Sequence, residues 1–417
     1  MFLHPLVIFS IVWLGVISLY SLHLSKLLIY STPVVTKLVL VIWVPFATVI
    51  LVSIFFRRIL ISIRSSLHKL PTINIAALER KLIFWFRVWM TATFLEIIVS
   101  GGLPLLWLVQ HSSKTYKDFG ISSLHGLVNS LLLSIALCRF LLFLLTRSRR
   151  HLVVPIFTLG WFILVVTRNQ LLVALIEFAV LFFRIRPIKK TVIVKFIVGI
   201  VCFILAFGAI GDYRTGSSDL IRLWAQPTDQ YPDWLPSGVL WAYIYISTPI
   251  NNLVHTSEMV RPVNNLAFPN TVVNLFPTVV RKFVYGEETS EAESGELVAS
   301  TFNVSTAYIG PVQDYGFVGI ALFSMVIAAF CQFFWVRSSL RDILIYCVLA
   351  QCLILSLFFN HFLLLPIIFQ TVWICFFLGQ SNHFMRRLMG LLFLPIKAQN
   401  HYSPSFQSFK AHSSPRG

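Results

Sequence analysis

Residues 194–222 decide how this chain is read: VKFIVGIVCFILAFGAI (194–210) runs directly into GDYRTGSSDLIR (211–222). The first part is apolar apart from Lys195, and about 17 to 20 such residues, rising 1.5 Å each in a helix, cross the hydrocarbon of a bilayer. The second part places Gly211, Asp212 and Arg214 where that helix would leave the membrane. The rest of the chain repeats the pattern. Of 417 residues, 57% are hydrophobic, 15% aromatic and only 12% charged, with a mean hydropathy of +0.81, whereas a soluble domain carries about a quarter charged residues. The sequence therefore predicts an all-α polytopic integral membrane protein.

Apolar stretches fall near 2–20, 38–56, 82–100, 124–145, 152–167, 170–184, 192–210, 313–335, 343–359 and 362–379. About ten transmembrane helices follow, with both termini on one side. The formal charge of +17 is dispersed in short clusters between them: Arg57 to Lys81, Arg147 to Arg150, Arg184 to Lys190, Arg337 and Arg341, Arg386 and Arg387. Every cluster falls on the N-terminal side, which the positive-inside tendency makes cytoplasmic. Such dispersal is a topology signal and excludes a nucleic-acid-binding face. The runs 152–184 and 343–379 each exceed one helix and are interrupted by polar residues, Arg168-Asn169-Gln170 and Asn360-His361, expected to form external turns. Cys138, Cys202, Cys331, Cys347, Cys352 and Cys375 all lie in apolar runs without CxxC spacing, so neither disulfides nor a zinc site is expected. The first apolar run lacks a basic leader and a small-residue cleavage site and reads as a retained span.

These spans divide the chain into residues 1–210 (helices one to seven), a large external loop at 211–311, residues 312–380 (helices eight to ten) and a basic cytoplasmic tail at 381–417. The loop holds ten of the sixteen acidic residues against five Lys or Arg, a balance of −5 inside a +17 chain. A loop of this length is usually functional. Within it, the aromatic and aliphatic run ending at Pro249 reads as a helix packed on or lying in the outer interface, and 287–296 reads as a solvated acidic turn. Asn303-Val304-Ser305 also fits a glycosylation acceptor.

Ionisable residues within spans are costly and are candidates for function. Glu177 lies mid-span and needs a partner, Glu96 and Arg87 are about 13 Å apart on one helix and are no direct pair, and Arg139 and Lys195 are close enough to an end to snorkel. On the external side, Arg168, Asp212, Arg214, Arg222, Arg281, Lys282, Asn360 and His361 occupy helix ends or the large loop and are expected to converge on one cavity. Gly211 and Gly216 flank Arg214 and permit tight backbone geometry. Arginine, permanently charged and bidentate, suits a phosphate or pyrophosphate. His361 is the best placed of the eleven histidines for base chemistry. There is no HExxH, DxD, GxSxG or Walker pattern, so no metal and no nucleotide or other cofactor is expected.

Three regions resemble the oligosaccharide repeat-unit polymerases, the Wzy-type O-antigen polymerases of bacterial envelopes. They are EIIVSGGLPLLWL with YKDFGISSLHGLVNSL (96–108 and 116–131), TRNQLLVALIE (167–177), and the set GDYRTG, AYIYISTPINNL (242–253) and FNVSTAYIGPVQDYGFVGIALF (302–323). Together they cover roughly residues 90–330. The resemblance implies a metal-independent glycosyltransferase in the bacterial inner membrane with its active site facing the periplasm. Its donor and acceptor would be undecaprenyl-pyrophosphate-linked oligosaccharides, with membrane lipid and a chain-length regulator protein as candidate partners. The pyrophosphate would be held by Arg214 first, then Arg168 and Arg281, and the acceptor hydroxyl activated by Asp212, Asp314 or His361. The substrate-binding candidates are Arg222, Arg281, Tyr213, Tyr243, Asn303, Asp314 and Asn360. An O-antigen ligase would share these features and differ in acceptor. A flippase or transporter of the same lipid-linked sugar would more often show two related halves and midplane polar residues, and this sequence has no internal repeat.

Overall fold

The computed structural model describes residues 2–28, 31–64, 74–186, 190–215, 217, 219–232, 234–265, 267–285 and 295–379. The side chains of Tyr213, Arg214 and Lys282, together with Gly216, most of the acidic stretch 287–296 and the tail 381–417, lie outside the described residues.

The described residues form helices and connecting turns, with no strand among them. The helices are α1 (Pro5–Tyr20), α2 (Thr32–Arg64), α3 (Ile75–Ser100), α4 (Pro104–Val109), α5 (Leu124–Thr146), α6 (Val153–Leu164), α7 (Arg168–Ile185), α8 (Lys190–Thr215), α9 (Asp219–Ala225) and α10 (Ser237–Met259). They continue as α11 (Pro269–Val272), α12 (Thr278–Tyr285), α13 (Ile309–Trp335), α14 (Leu340–Leu355) and α15 (Leu365–Leu378). Local sequence starts and stops them. Asn74 accepts from Ala77 N–H at the N-terminus of α3, Gly101 closes its C-terminus with a left-handed φ of 74°, and Ser339 caps α14 by accepting from Asp342 N–H.

α5 is the central helix, packed against α3, α6, α7 and α15, and every residue from Val128 to Arg139 on it is buried. α13 packs along α2, while α14 joins the two groups by touching α1, α7, α13 and α15. The outward faces are apolar: Leu51, Phe55, Phe94 and Val99 are more than half exposed. Apolar side chains on this scale are a surface made for lipid.

Each of the ten expected spans overlaps a helix, but the count of ten does not carry over. Among the described residues four segments are long and apolar enough to cross a membrane: Thr32–Phe56, Ile75–Val109, Leu124–Thr146 and Ile309–Trp335. Two further apolar helices, α1 and α15, are shorter. α6 has 12 residues, about 18 Å of helix, which falls short of a hydrocarbon core of about 30 Å. Of the two polar breaks, the first is displaced and the second, Asn360-His361, falls within a chain reversal. The first chain reversal occurs at Val165–Thr167, with Val166 at φ 56°, so that Arg168, Asn169 and Gln170 open α7. The second spans Ser356–Leu364 and contains a 3₁₀ turn at His361–Leu363.

The aromatic run of the large loop is also corrected. It belongs to α10, which continues ten residues past Pro249 to Met259 and packs against α1, α2, α8, α9 and α13. Trp241, Ile244, Asn251, Asn252 and Thr256 are buried, so the helix is core and does not lie along an outer surface. A Cβ on Gly208 would sit 2.1 Å from Gly238 Cα, so α8 and α10 cross with backbones in contact. An exposed apolar face in the loop is found instead on α12, where Val279 and Phe283 are 65% and 91% exposed.

Three of the ionisable residues inside helices, Glu177, Glu96 and Arg139, have polar partners. Glu177 accepts from Gln370 Nε2 at 2.9 and 2.7 Å, Glu96 faces His125 Nδ1 at 3.1 Å, and Arg139 contacts Glu79 at 3.3 Å. These contacts tie α7 to α15, α3 to α5, and α5 to α3.

Candidate functional site

Three segments remote in sequence meet at a cavity of about 260 Å³. One is the start of α7, which contributes Asn169. Another is the reversal between α14 and α15, which contributes Phe359, Asn360, His361 and Leu364. The remainder comes from the large loop and its junction with α13: Asn270, Asn274, Asn303, Ser305 and Thr306 among them.

Each wall is fixed from behind. Asn360 Oδ1 accepts from Leu363 N–H at 3.4 Å and caps the 3₁₀ turn. The His361 ring is 2% exposed, its Nδ1 lies 2.6 Å from Gln351 Nε2 and its Nε2 lies 3.5 Å from Asn169 Nδ2. A neutral imidazole accepts at only one nitrogen, so one of the two amides meets it through its oxygen. Burial drives the His361 pKa down to about 4, so the ring is neutral at pH 7. Phe359 lies beside it with nearly parallel rings, 19° apart in plane and 5.8 Å between centroids.

The loop walls depend on two buried polar residues. Asp314, fully buried, accepts from Asn270 N–H at 3.0 Å, Asn270 Nδ2 at 2.8 Å, Thr271 N–H at 2.8 Å and Thr271 Oγ1 at 2.6 Å. Its carboxylate thus fixes the start of α11 and with it Asn270. Immediately after it, Tyr315 (φ −142°) and Gly316 (φ 57°, ψ −140°) break the helical geometry of α13. Only glycine adopts that Gly316 conformation without strain. The second is Asn252 on α10. It donates to Phe302 O at 3.2 Å and Val304 O at 2.9 Å and accepts from Val298 N–H at 3.0 Å, which holds the segment carrying Asn303 and Ser305. Ala307 N–H completes the attachment by donating to Ser356 O at 2.8 Å.

The structure therefore brings together Asn303, Asn360 and His361 from the sequence candidates. Two more stand next to them: Arg281 Nη1 donates to the wall residue Asn274 at 2.8 Å, and Arg168 directly precedes Asn169. Asp314 is behind the wall, with both oxygens engaged by the chain itself, so as folded it acts as a positioning group rather than a hydroxyl activator. The side chains of Tyr213 and Arg214 lie outside the described residues, and the other candidates are elsewhere. Asp212 accepts from Ser237 Oγ and, at 3.1 Å, from Trp241 Nε1 at the α8–α10 crossing. Tyr243 is buried and its hydroxyl accepts from Leu24 N–H at 3.0 Å. Arg222 is on α9, outside the cavity lining.

Sequence reasoning missed Asn169, Asn270 and Asn274 as lining residues, and Gln351 as the partner of His361. The stretch VNNLAFPNTVVN (263–274) did carry a signal, four asparagines between apolar residues. Among the described residues no group of three or more His, Cys, Asp or Glu side chains is arranged to hold a metal ion. Comparison of the chain with family models, with curated proteins and with solved structures finds no match in any of the three.

Proposed function

We propose that this protein is a membrane-embedded glycosyltransferase that polymerises undecaprenyl-pyrophosphate-linked oligosaccharide repeat units at the external face of the bacterial inner membrane. The observation that supports this reading most is the convergence of Asn303, Asn360 and His361 on one cavity, with Arg281 bound to its wall through Asn274. The four long apolar segments would cross the membrane, with the shorter apolar helices α1 and α15 packed beside them. In the reaction, an oxygen of an acceptor hydroxyl forms a bond to the anomeric carbon of the donor. The bond from that carbon to the pyrophosphate oxygen breaks, the electron pair leaves with undecaprenyl pyrophosphate, and the hydroxyl proton passes to a base or to water. Cations beside the cavity would stabilise the charge developing on the leaving group. A histidine held neutral by burial is a weak base, and with its two nitrogens against Gln351 and Asn169, His361 fits holding Asn169 in the wall better than removing a hydroxyl proton.

The test is a gel of surface polysaccharide from the source organism with the gene deleted and then complemented at matched protein levels. Wild type should restore a ladder of repeat units. Arg281→Ala and Arg214→Ala should each reduce the polymer about a hundredfold, the loss expected for one charge-stabilising group. A deletion that leaves core plus one repeat supports polymerisation. Bare core would redirect the reading to a ligase or flippase, and an unchanged ladder would sink it.

A further inference from the structure

The cavity lining has a chemical character that the proposed reaction does not require. Its polar side chains are amides and hydroxyls, five asparagines with Ser305 and Thr306, joined by His361. Among the described residues its lining includes no Asp, Glu, Lys or Arg. Arg281 sits one layer back, on Asn274, and the Asp314 carboxylate is occupied by Asn270 and Thr271. An asparagine amide offers donors and an acceptor together, which matches a hydroxyl group, itself both donor and acceptor. A charged ring substituent seated inside the cavity, away from the cations beside it, would instead be stripped of water without an opposite charge among the described lining residues, a costly exchange.

Two further observations narrow the ligand. Phe359 lines the cavity and is 44% exposed although its neighbour His361 is buried. An exposed aromatic ring among amides and hydroxyls is the pairing that suits a pyranose, with its C–H face on the ring and its hydroxyls at the edge. The volume of about 260 Å³ lies just under the roughly 300 Å³ at which pockets for larger ligands begin. That is room for one sugar ring.

We infer that the cavity is a single-ring subsite selective for an uncharged pyranose, with Phe359 as its platform and Asn303 as its main hydroxyl reader, beside the amide atoms that the chain contacts of Asn169, Asn270, Asn274 and Asn360 leave over. This rests on the proposed glycosyl-transfer reading and adds to it a prediction about substrate: the ring held here carries neither a carboxylate nor a free amine. A uronic acid or an amino sugar would occupy other positions of the repeat unit.

The experiment uses the full-length protein in detergent micelles and saturation-transfer NMR with free monosaccharides. The probes are glucose, galactose, rhamnose and N-acetylglucosamine, set against glucuronic acid, galacturonic acid and glucosamine. At least one neutral sugar should receive saturation, most strongly at the ring protons of one face, and bind at least tenfold more tightly than its charged counterpart. Phe359→Ala should weaken that binding at least tenfold, and Asn303→Leu should do the same. Asn303→Gln, which keeps the amide, separates loss of the reader from misfolding: Gln should retain more binding than Leu. Equal or tighter binding of the charged sugars would overturn the inference. So would the absence of any bound neutral sugar, or binding unaffected by Phe359→Ala. The polysaccharide gel fails independently: neutral-sugar binding with an unchanged ladder would keep this subsite and discard the polymerase, whereas a collapsed ladder with preferred uronate binding would do the reverse.

Discussion

Asp314 shows how a carboxylate in a suggestive sequence can be architectural. It stands in the Asp-Tyr-Gly-Phe stretch that opens the long part of α13, yet both its oxygens accept hydrogen bonds from Asn270 and Thr271. Removing it leaves two backbone N–H groups and two side-chain donors without an acceptor in a buried place, at about 1–3 kcal/mol for each group left unsatisfied. Asp314→Ala should therefore lower the thermal unfolding midpoint of the detergent-solubilised protein by several degrees, and Asp314→Asn by less, because one amide oxygen still accepts. If activity vanished in Asp314→Asn while the midpoint stayed at the wild-type value, a direct catalytic role would replace the architectural one. Asn252 is its counterpart on α10, with three contacts to the segment 298–304. Neither residue touches the cavity, and both determine where asparagines that do touch it are placed.

At the scale of elements, the crossing of α8 and α10 depends on Gly208 and Gly238. The approach leaves no volume for a side chain, since a Cβ at Gly208 falls 2.1 Å from backbone, and packed interiors yield little to such an insertion. Gly208→Leu should force the helices apart and move Asn252 with α10. The expected result is lower stability together with weaker neutral-sugar binding, measured on one preparation, while Gly199→Leu on the same helix, where a Cβ meets nothing within 4 Å, should leave both near wild type. Equal behaviour of the two variants would show that α10 does not fix the cavity wall. This coupling explains why α10, which reads as a loop helix from its place between apolar runs, is core: its apolar and amide residues face α1, α8 and α13.

For the whole molecule, the chain reversals before Arg168 and after Leu355 lie together at the cavity, alongside the large loop. That is the arrangement expected if all three emerge on one side. The connection between α3 and α5 should emerge there too, because Gly126 near the start of α5 packs on Pro366 at the start of α15. A reporter active only outside the cytoplasm should therefore be active when inserted after Ser113 and silent after Arg149. Activity at Arg149, or silence at Ser113, would invert or break the proposed topology.

Hydropathy is a local property, so the sequence by itself determined that the chain is helical and apolar, where its apolar segments fall, and that residues 211–311 stand apart in charge. It also picked out Asn303, Asn360 and His361. Tertiary structure alone decided which polar residues meet, because the cavity joins segments nearly two hundred residues apart through packing that no local pattern encodes. It also decided that Asp314 and Asp212 are engaged by neighbouring donors, that Glu177 pairs with Gln370, and that α10 is buried. A side chain's partner is fixed by what the fold places within about 3 Å of it, and its sequence neighbours do not reveal that.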